Sequence, residues 1–469
     1  MSFAPYHDVD SKTAMDELVL PEHAIAVLAQ RQRKRACVRR QIKRIFFILG
    51  SFSLIIFLFP TLARKTGEYF GMKMHKQNEW PNLCHNLEST RSLTFEFENL
   101  QKKFDFTEVF DRSNQQHGCQ QLHSGRALRS AIQLLPAPQD QKFDIVVSVS
   151  LNASNEILTE SVTWESSDDS LVLKLPSLWQ GCLMVDVDVF VRQNLALDTF
   201  SITANASSVD IPTALGLLVN KQTNINLNAG SLSAYPFLQS RKTRIVLDAG
   251  SLNGDYGLYD VLDIYAKAGV VLANITPQPA DNENPAPANL TVGTGAGGIN
   301  INYPPKSMKE KIPERDYYTT ITTKQGSIRG CYLHGKNTTV STSQGEILAD
   351  ILPYAADSSE STLDTSTGAG AHSLKVRSPY LNPDTPIKRL NSKHCTSVSS
   401  LTLEYPPEWE GTIEGKVNVG SLSVSGDGLR VIEKGKIGVV GQFIRAEKGG
   451  GNSTIDFSSE VGRASLSVG

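Results

Sequence analysis

A glycine-centred octet returns along the second half of this chain. Ile225-Asn-Leu-Asn-Ala-Gly-Ser-Leu232 comes back twenty residues later as Ile245-Val-Leu-Asp-Ala-Gly-Ser-Leu252, and nineteen after that as Ile264-Tyr-Ala-Lys-Ala-Gly-Val-Val271. Ile321-Thr-Thr-Lys-Gln-Gly-Ser-Ile328 is echoed nineteen residues on by Val340-Ser-Thr-Ser-Gln-Gly-Glu-Ile347, and Val419-Gly420, Val440-Gly441 and Val461-Gly462 follow at spacings of 21 and 21. The second residue after the glycine is apolar each time: Leu232, Leu252, Val271, Ile328, Ile347, Leu422, Phe443 and Ala464. A position apolar at every return points inward, and a glycine beside it supplies a corner where a Cβ does not fit. A unit of about twenty residues cannot enclose a core alone, but one coil of short strands stacked on its neighbours can.

The expected fold is therefore an all-β solenoid, parallel-β-helix-like, with 19–21-residue coils over 211–469; a β-sandwich with similar turns is the competing arrangement. Residues 90–210 form a β-rich region before it, since TFEFE at Thr94, FDIVVSVSL at Phe143, LVLKL at Leu171 and LMVDVDVFV at Leu183 alternate with period two. Two stretches, 276–313 and 353–394, break the repeat and read as insertions. The chain stops directly after the Val461-Gly462 corner, so an open final coil at Ala464–Gly469 is the expected site of self-association.

Ahead of the β region, Ile45 to Ala63 is a run of nineteen residues without a charge. As a helix it spans about 28 Å, close to a bilayer's hydrocarbon thickness. Arg31, Arg33, Lys34, Arg35, Arg39, Arg40, Lys43 and Arg44 precede it. That excess places residues 1–44 in the cytoplasm as a basic tail against anionic lipid, 45–63 as a signal-anchor helix, and 64–89 as a stalk on the lumenal or extracellular side. The expected localisation is a secretory-pathway membrane (ER/Golgi, vacuole or plasma membrane), in single-pass type II topology. The basic run leads into the span, so it is assigned to lipid, not nucleic acid. Cys37 within it is a palmitoylation candidate or an ordinary thiol.

Six sequons, at Asn152, Asn205, Asn274, Asn289, Asn337 and Asn452, follow the span and are glycosylation candidates. Cys84, Cys119, Cys182, Cys331 and Cys395 fall where oxidation is allowed and are disulfide candidates, with the pairing open. His85, His117, His123 and His394 lie near cysteines, but without the paired spacing of a structural zinc site.

With its cytoplasmic basic tail, one anchor helix, and Gly-Ser-Leu or Gly-x-Ile corners about every twenty residues, the chain resembles fungal membrane-anchored members of the adhesin-like β-solenoid family shared with bacteria. The resemblance covers roughly residues 200–469. It implies a non-catalytic module presenting a β surface to glycans or protein partners, with no cofactor and no catalytic residues to transfer.

The G-x-S-x-G elbow, the G-x-x-x-x-G-K-[ST] phosphate loop and H-E-x-x-H are absent from the sequence. The alternative is a lumenal carbohydrate-active enzyme. Asp186-Val-Asp188 resembles the D-x-D pair of type II glycosyltransferases, in which carboxylates hold a divalent metal. Asp248, Asp260 and Asp263, in two adjacent expected coils, are the carboxylates a β-helix lyase or hydrolase would draw on. Solvated outer faces account for the same residues.

Overall fold

The computed structural model describes residues 84, 87–100, 102–111, 126–177, 179–305, 311–355 and 360–469. The basic tail, the Ile45–Ala63 span, Cys37, Cys119 and most of the 64–89 stalk lie outside them. Among the described residues no helix is long and apolar enough to cross a membrane.

In chain order the elements are β1 (Ser89–Phe97), β2 (Lys103–Asp111), β3 (Arg126–Pro136), β4 (Ile145–Ala153), α1 (Glu156–Ser161), β5 (Thr163–Ser167), β6 (Ser170–Pro176), β7 (Gly181–Val191), β8 (Ala196–Ala204) and β9 (Ser208–Ile211). Then come β10 (Leu218–Ala229), β11 (Leu232–Ala234), β12 (Gln239–Ser240), β13 (Lys242–Ala249), β14 (Leu252–Leu258), β15 (Val261–Ala268), β16 (Val271–Pro277), β17 (Ala288–Ala296), β18 (Ile299–Tyr303), β19 (Tyr317–Gln325) and β20 (Ile328–His334). The chain ends with β21 (Asn337–Gln344), β22 (Ile347–Pro353), β23 (Ser361–Ala369), β24 (His372–Val376), β25 (Leu390–Val398), β26 (Leu401–Tyr405), β27 (Gly411–Gly426), β28 (Leu429–Ile437), β29 (Gly441–Lys448) and β30 (Ser453–Val468).

Each strand pairs in parallel with the strand two places on, from β13 to β15 and β14 to β16 through to β23 with β25 and β24 with β26. Such pairing is a two-strand coil repeated along an axis. It excludes the sandwich, whose sheets are built from antiparallel neighbours. Sheet A carries the odd-numbered strands from β13 to β25 and sheet B the even-numbered strands from β14 to β26. The strands β27 and β30 bend at Gly420 and Gly462 and run through both sheets.

The corner works as the repeat suggests. Gly326 has φ +147°, a region open to glycine alone, and a Cβ on it would fall on the carbonyl oxygen of Gly297 one coil below. Leu232, Leu252, Val271, Ile328, Ile347 and Ala464 are all fully buried. Just before the corner, inward threonines stack as Thr294, Thr323, Thr342 and Thr367. Their hydroxyls donate to corner carbonyls: Thr294 to Gly297 (2.9 Å), Thr342 to Gly326 (3.1 Å) and Thr367 to Gly345 (3.2 Å). The tight corner thus leaves little room for water, and a side chain satisfies the carbonyls instead.

Four expectations need correction. The stretches 276–313 and 353–394 are not outside the solenoid: they contain β17 with β18 and β23 with β24, complete coils in register. Their corners, at Gly297 and Gly370, were hidden because loops lengthen the spacing. The solenoid also does not start at 211, since β8 and β9 already pair in parallel with β10 and β11, and β2 and β3 stack beyond them.

Val440-Gly441 is not a corner. Gly441 opens β29, which runs antiparallel between β27 and β28. Finally, the C-terminal strand is not an open edge: β30 lies between β25 and β26 on one side and β27 on the other. The chain skips a level to form β27, returns through β28 and β29, and fills the gap last. Ala464–Val468 is therefore paired on both sides and is not the open edge expected from the sequence.

Candidate functional site

The outward positions of sheet A between β15 and β25 form columns one residue wide. One column reads Asp263, Thr291, Thr320, Thr339, Asp364 and Lys393, and its neighbour reads Tyr265, Gly293, Thr322, Ser341, Ser366 and Cys395. Outward side chains are hydroxyl-rich because alternation leaves them in water while Ile264, Val292, Ile321 and Val340 fill the core. The centre of the face, from Thr291 to Ser366, is polar and uncharged in the Thr322 column and carries only Asp364 in the other. Burial is the main cause that raises the Asp364 carboxyl, with Lys393 opposing it.

Two tyrosines stand out of this face, Tyr265 and Tyr318, each 39% exposed. Tyr265 leans over Gly293, where a Cβ would meet its Cδ2 at 3.2 Å and the Thr322 hydroxyl at 3.4 Å. Strand geometry puts the two tyrosines about 16 Å apart across the hydroxyl grid. Next to them Asn337 donates to Thr362 (2.8 Å) and accepts from Thr339 (3.3 Å). The result is a flat, open surface with aromatic rings at two corners and hydroxyls between. It can stack on and hydrogen-bond to an extended polar polymer.

The candidates from the sequence fall elsewhere or apart. Asp186 and Asp188 share the outer face of β7, opposite Ser150 and Ser148 of β4 and Ala131 and Gln133 of β3. Burial raises the Asp186 carboxyl, Asp188 adds to this, and Arg129 opposes it. Among the described residues no three His, Cys, Asp or Glu side chains converge as a metal site would need. Asp248, Asp260 and Asp263 do not converge either. Asp248 faces Lys267 (3.9 Å), Asp263 faces Arg244 (3.8 Å), and Asp260 is clamped between Arg241 (2.6 Å) and Arg315 (3.1 Å).

Cys84 and Cys182 form a disulfide that ties the start of the domain to β7. Cys331 and Cys395 sit on different sheets. His394 and Cys395 point to opposite faces of β25: His394 is fully buried, bonded to Thr365 (2.7 Å) and the Tyr405 hydroxyl (2.7 Å). Of the sequons, Asn289 and Asn337 lie on the hydroxyl face itself, Asn274 is held in a sheet B ladder by Asp255 and Asn302, and Asn452 is exposed just before β30. Asn152 accepts from Thr90, and Asn205 accepts from Asn228.

No family model and no curated protein matches this chain. Among solved structures, a proposed cell adhesion protein from Clostridium sporogenes aligns over 81% of this chain and 100% of its own, at 9% identity and a TM-score of 0.15. A proposed adhesin from Bacteroides fragilis aligns over 81% and 97%, at 8% identity and a TM-score of 0.23. At those scores nothing of either protein transfers to this one.

Proposed function

We propose that this protein is a non-catalytic, adhesin-like module that binds an extended neutral glycan along the outer face of sheet A. The observation that supports it most is the pairing of two exposed tyrosines with a hydroxyl-rich grid. Sugars present both apolar ring faces and dense hydroxyls, and a surface of this composition meets both, whereas a nucleic acid or an acidic polymer would call for a basic stripe. In this reading residues 45–63 hold the module at a secretory-pathway membrane with the N-terminus in the cytoplasm, supported by the charge asymmetry of the sequence. A lumenal carbohydrate-active enzyme built on Asp186 and Asp188 is the second reading, favoured by the raised Asp186 carboxyl.

The test is to offer the purified full chain chitin, β-glucan and mannan and to measure both retention and sugar release. The expected result is saturable binding to at least one polymer without release, with Tyr265→Ala and Tyr318→Ala each weakening it roughly tenfold, as loss of a stacked ring does. Leu348→Ala, on sheet B, should leave binding unchanged. Sugar release that Asp186→Asn abolishes would establish the enzyme reading instead. Glycans attached at Asn289 or Asn337 would cover the face, so full occupancy of both sites in the mature protein counts against it.

A further inference from the structure

Open strand edges occur at both ends of the solenoid, and most of them are guarded by charge. Among the described residues β1 pairs only with β4 and carries Arg91 and Glu96, while β5 pairs only with β6 and carries Glu165. At the far end β28 pairs only with β29 and carries Arg430, Glu433, Lys434 and Lys436. Charged side chains on an edge are a standard defence against strand addition.

The second half of β27 has no such defence. The hairpin of β28 and β29 covers β27 only from Gly411 to Val417; beyond that, among the described residues, Val419 to Gly426 pairs with β30 on one side and with no strand on the other. Its sequence, Val-Gly-Ser-Leu-Ser-Val-Ser-Gly, has no charged residue and no proline. The Leu422 amide is met by a side chain, Gln442 Oε1 at 3.1 Å, where a neighbouring strand would otherwise accept it. Leu422 and Val424, inward-facing at this level, are only partly buried.

Beside this edge runs a stripe of exposed valines. Val398, Val461 and Val419 are register partners on successive levels, 54%, 46% and 47% exposed. Val440 (55%) and Val439 (91%) continue the stripe in the turn before Gly441, whose backbone lies against Asn418. An undefended edge next to an exposed apolar stripe is a docking surface.

We infer that a second copy of this chain occupies it, pairing Val419–Gly426 antiparallel with the same strand about a two-fold axis. An uncharged edge meets its own copy across such an axis without like-charge repulsion in any register, and this edge alone among the four is uncharged. Cys84 is disulfide-bonded to β7 at the opposite end of the stack, about 60 Å away at the usual strand spacing. The edge therefore lies at one tip of the stack, well placed for copies to meet. The proposal does not depend on the glycan reading.

Sedimentation of the full chain tests it, with Ser423→Lys/Ser425→Lys as one variant and Val439→Ser/Val440→Ser as another. The expected result is a concentration-dependent dimer that the lysines weaken by roughly tenfold or more, since like charges brought together across an interface repel strongly. The exposed serines and valines should leave the unfolding temperature unchanged. Should the lysine pair impair folding, the valine pair carries the same expectation. A wild-type protein that stays monomeric, or a dimer indifferent to the folded variants, overturns the inference.

Discussion

The middle coils and the C-terminal third share one backbone plan but differ in what they bury. From β10 to β21 the central inward column of sheet A is Ile225, Ile245, Ile264, Val292, Ile321 and Val340, and in sheet B it is Leu252, Val271, Ile299, Ile328 and Ile347. Beyond that level the same columns hold Thr365 and His394 in sheet A and His372 in sheet B. These polar groups satisfy one another across the thin core. His372 Nε2 and His394 Nδ1 both bond the Thr365 hydroxyl (2.8 and 2.7 Å), and His394 Nε2 bonds the Tyr405 hydroxyl (2.7 Å). His334, two coils before His372, bonds Thr338 and Ser361. The coil thus fixes where a side chain points, not what it is, and here the polar residues it admits bond to one another. The corner ladder relaxes in the same region, where Ser399 stands between Gly370 and Gly462.

That contrast is broken most severely at the glycine corners. Gly326→Val should cost more than about 4 kcal/mol or prevent folding, because it adds a forbidden φ to a backbone collision. Ser399→Ala, at the equivalent corner of the polar region, should cost less than about 1 kcal/mol. Thermal unfolding of the two variants side by side measures the difference, and equal losses would mean that the ladder is not what holds the middle coils.

Acid should separate the two regions next. Burial lowers His334 and His372 to about 4 and drives His394 well below its ordinary range. The unfolded chain takes up these protons near pH 6.5, so between about 6.5 and 4 it binds more protons than the fold does, and stability falls as the pH falls through that window. The loss at pH 4 is on the order of 3 kcal/mol for each of His334 and His372. Urea midpoints at pH 7.5 and 4.5 should show it, and His334→Gln/His372→Gln should flatten the dependence. A slope unchanged in that variant would place the acid sensitivity elsewhere.

The smallest effect belongs to the threonine ladder. The Thr323 hydroxyl lies 2.7 Å from that of Thr294 and donates to the Gly297 carbonyl (3.3 Å), so Thr323→Val keeps the shape and removes these contacts. A loss of about 1–2 kcal/mol in urea unfolding is expected, and a neutral result would show that the carbonyls need no side-chain partner.

Much of the solenoid was legible because a corner glycine and an inward apolar residue are local demands, repeated wherever the spacing stayed near twenty. Two coils were missed where loops stretched that spacing: Ile264 and Val292 are register partners although 28 residues apart. The hydroxyl face was missed for the same reason. Tyr265, Gly293 and Thr322 become neighbours only once the coil at β17 is in place. The carboxylates singled out from the sequence pair separately with Lys267, Arg244, Arg241 and Arg315, and those pairings depend on the level at which each basic residue stacks.

By itself the sequence determined the period, the corner and the alternation of inside and outside, because each is set by a residue and its immediate neighbours. Tertiary structure alone decided the order of the levels. Nothing local tells β30 to lie beneath β27 or β29 to reverse; those placements follow from which edge could bury Ile455, Phe457 and Leu466 once the other strands were paired. The same choice left the uncharged half of β27 at the tip, a position that depends on the whole stack and that no single segment encodes.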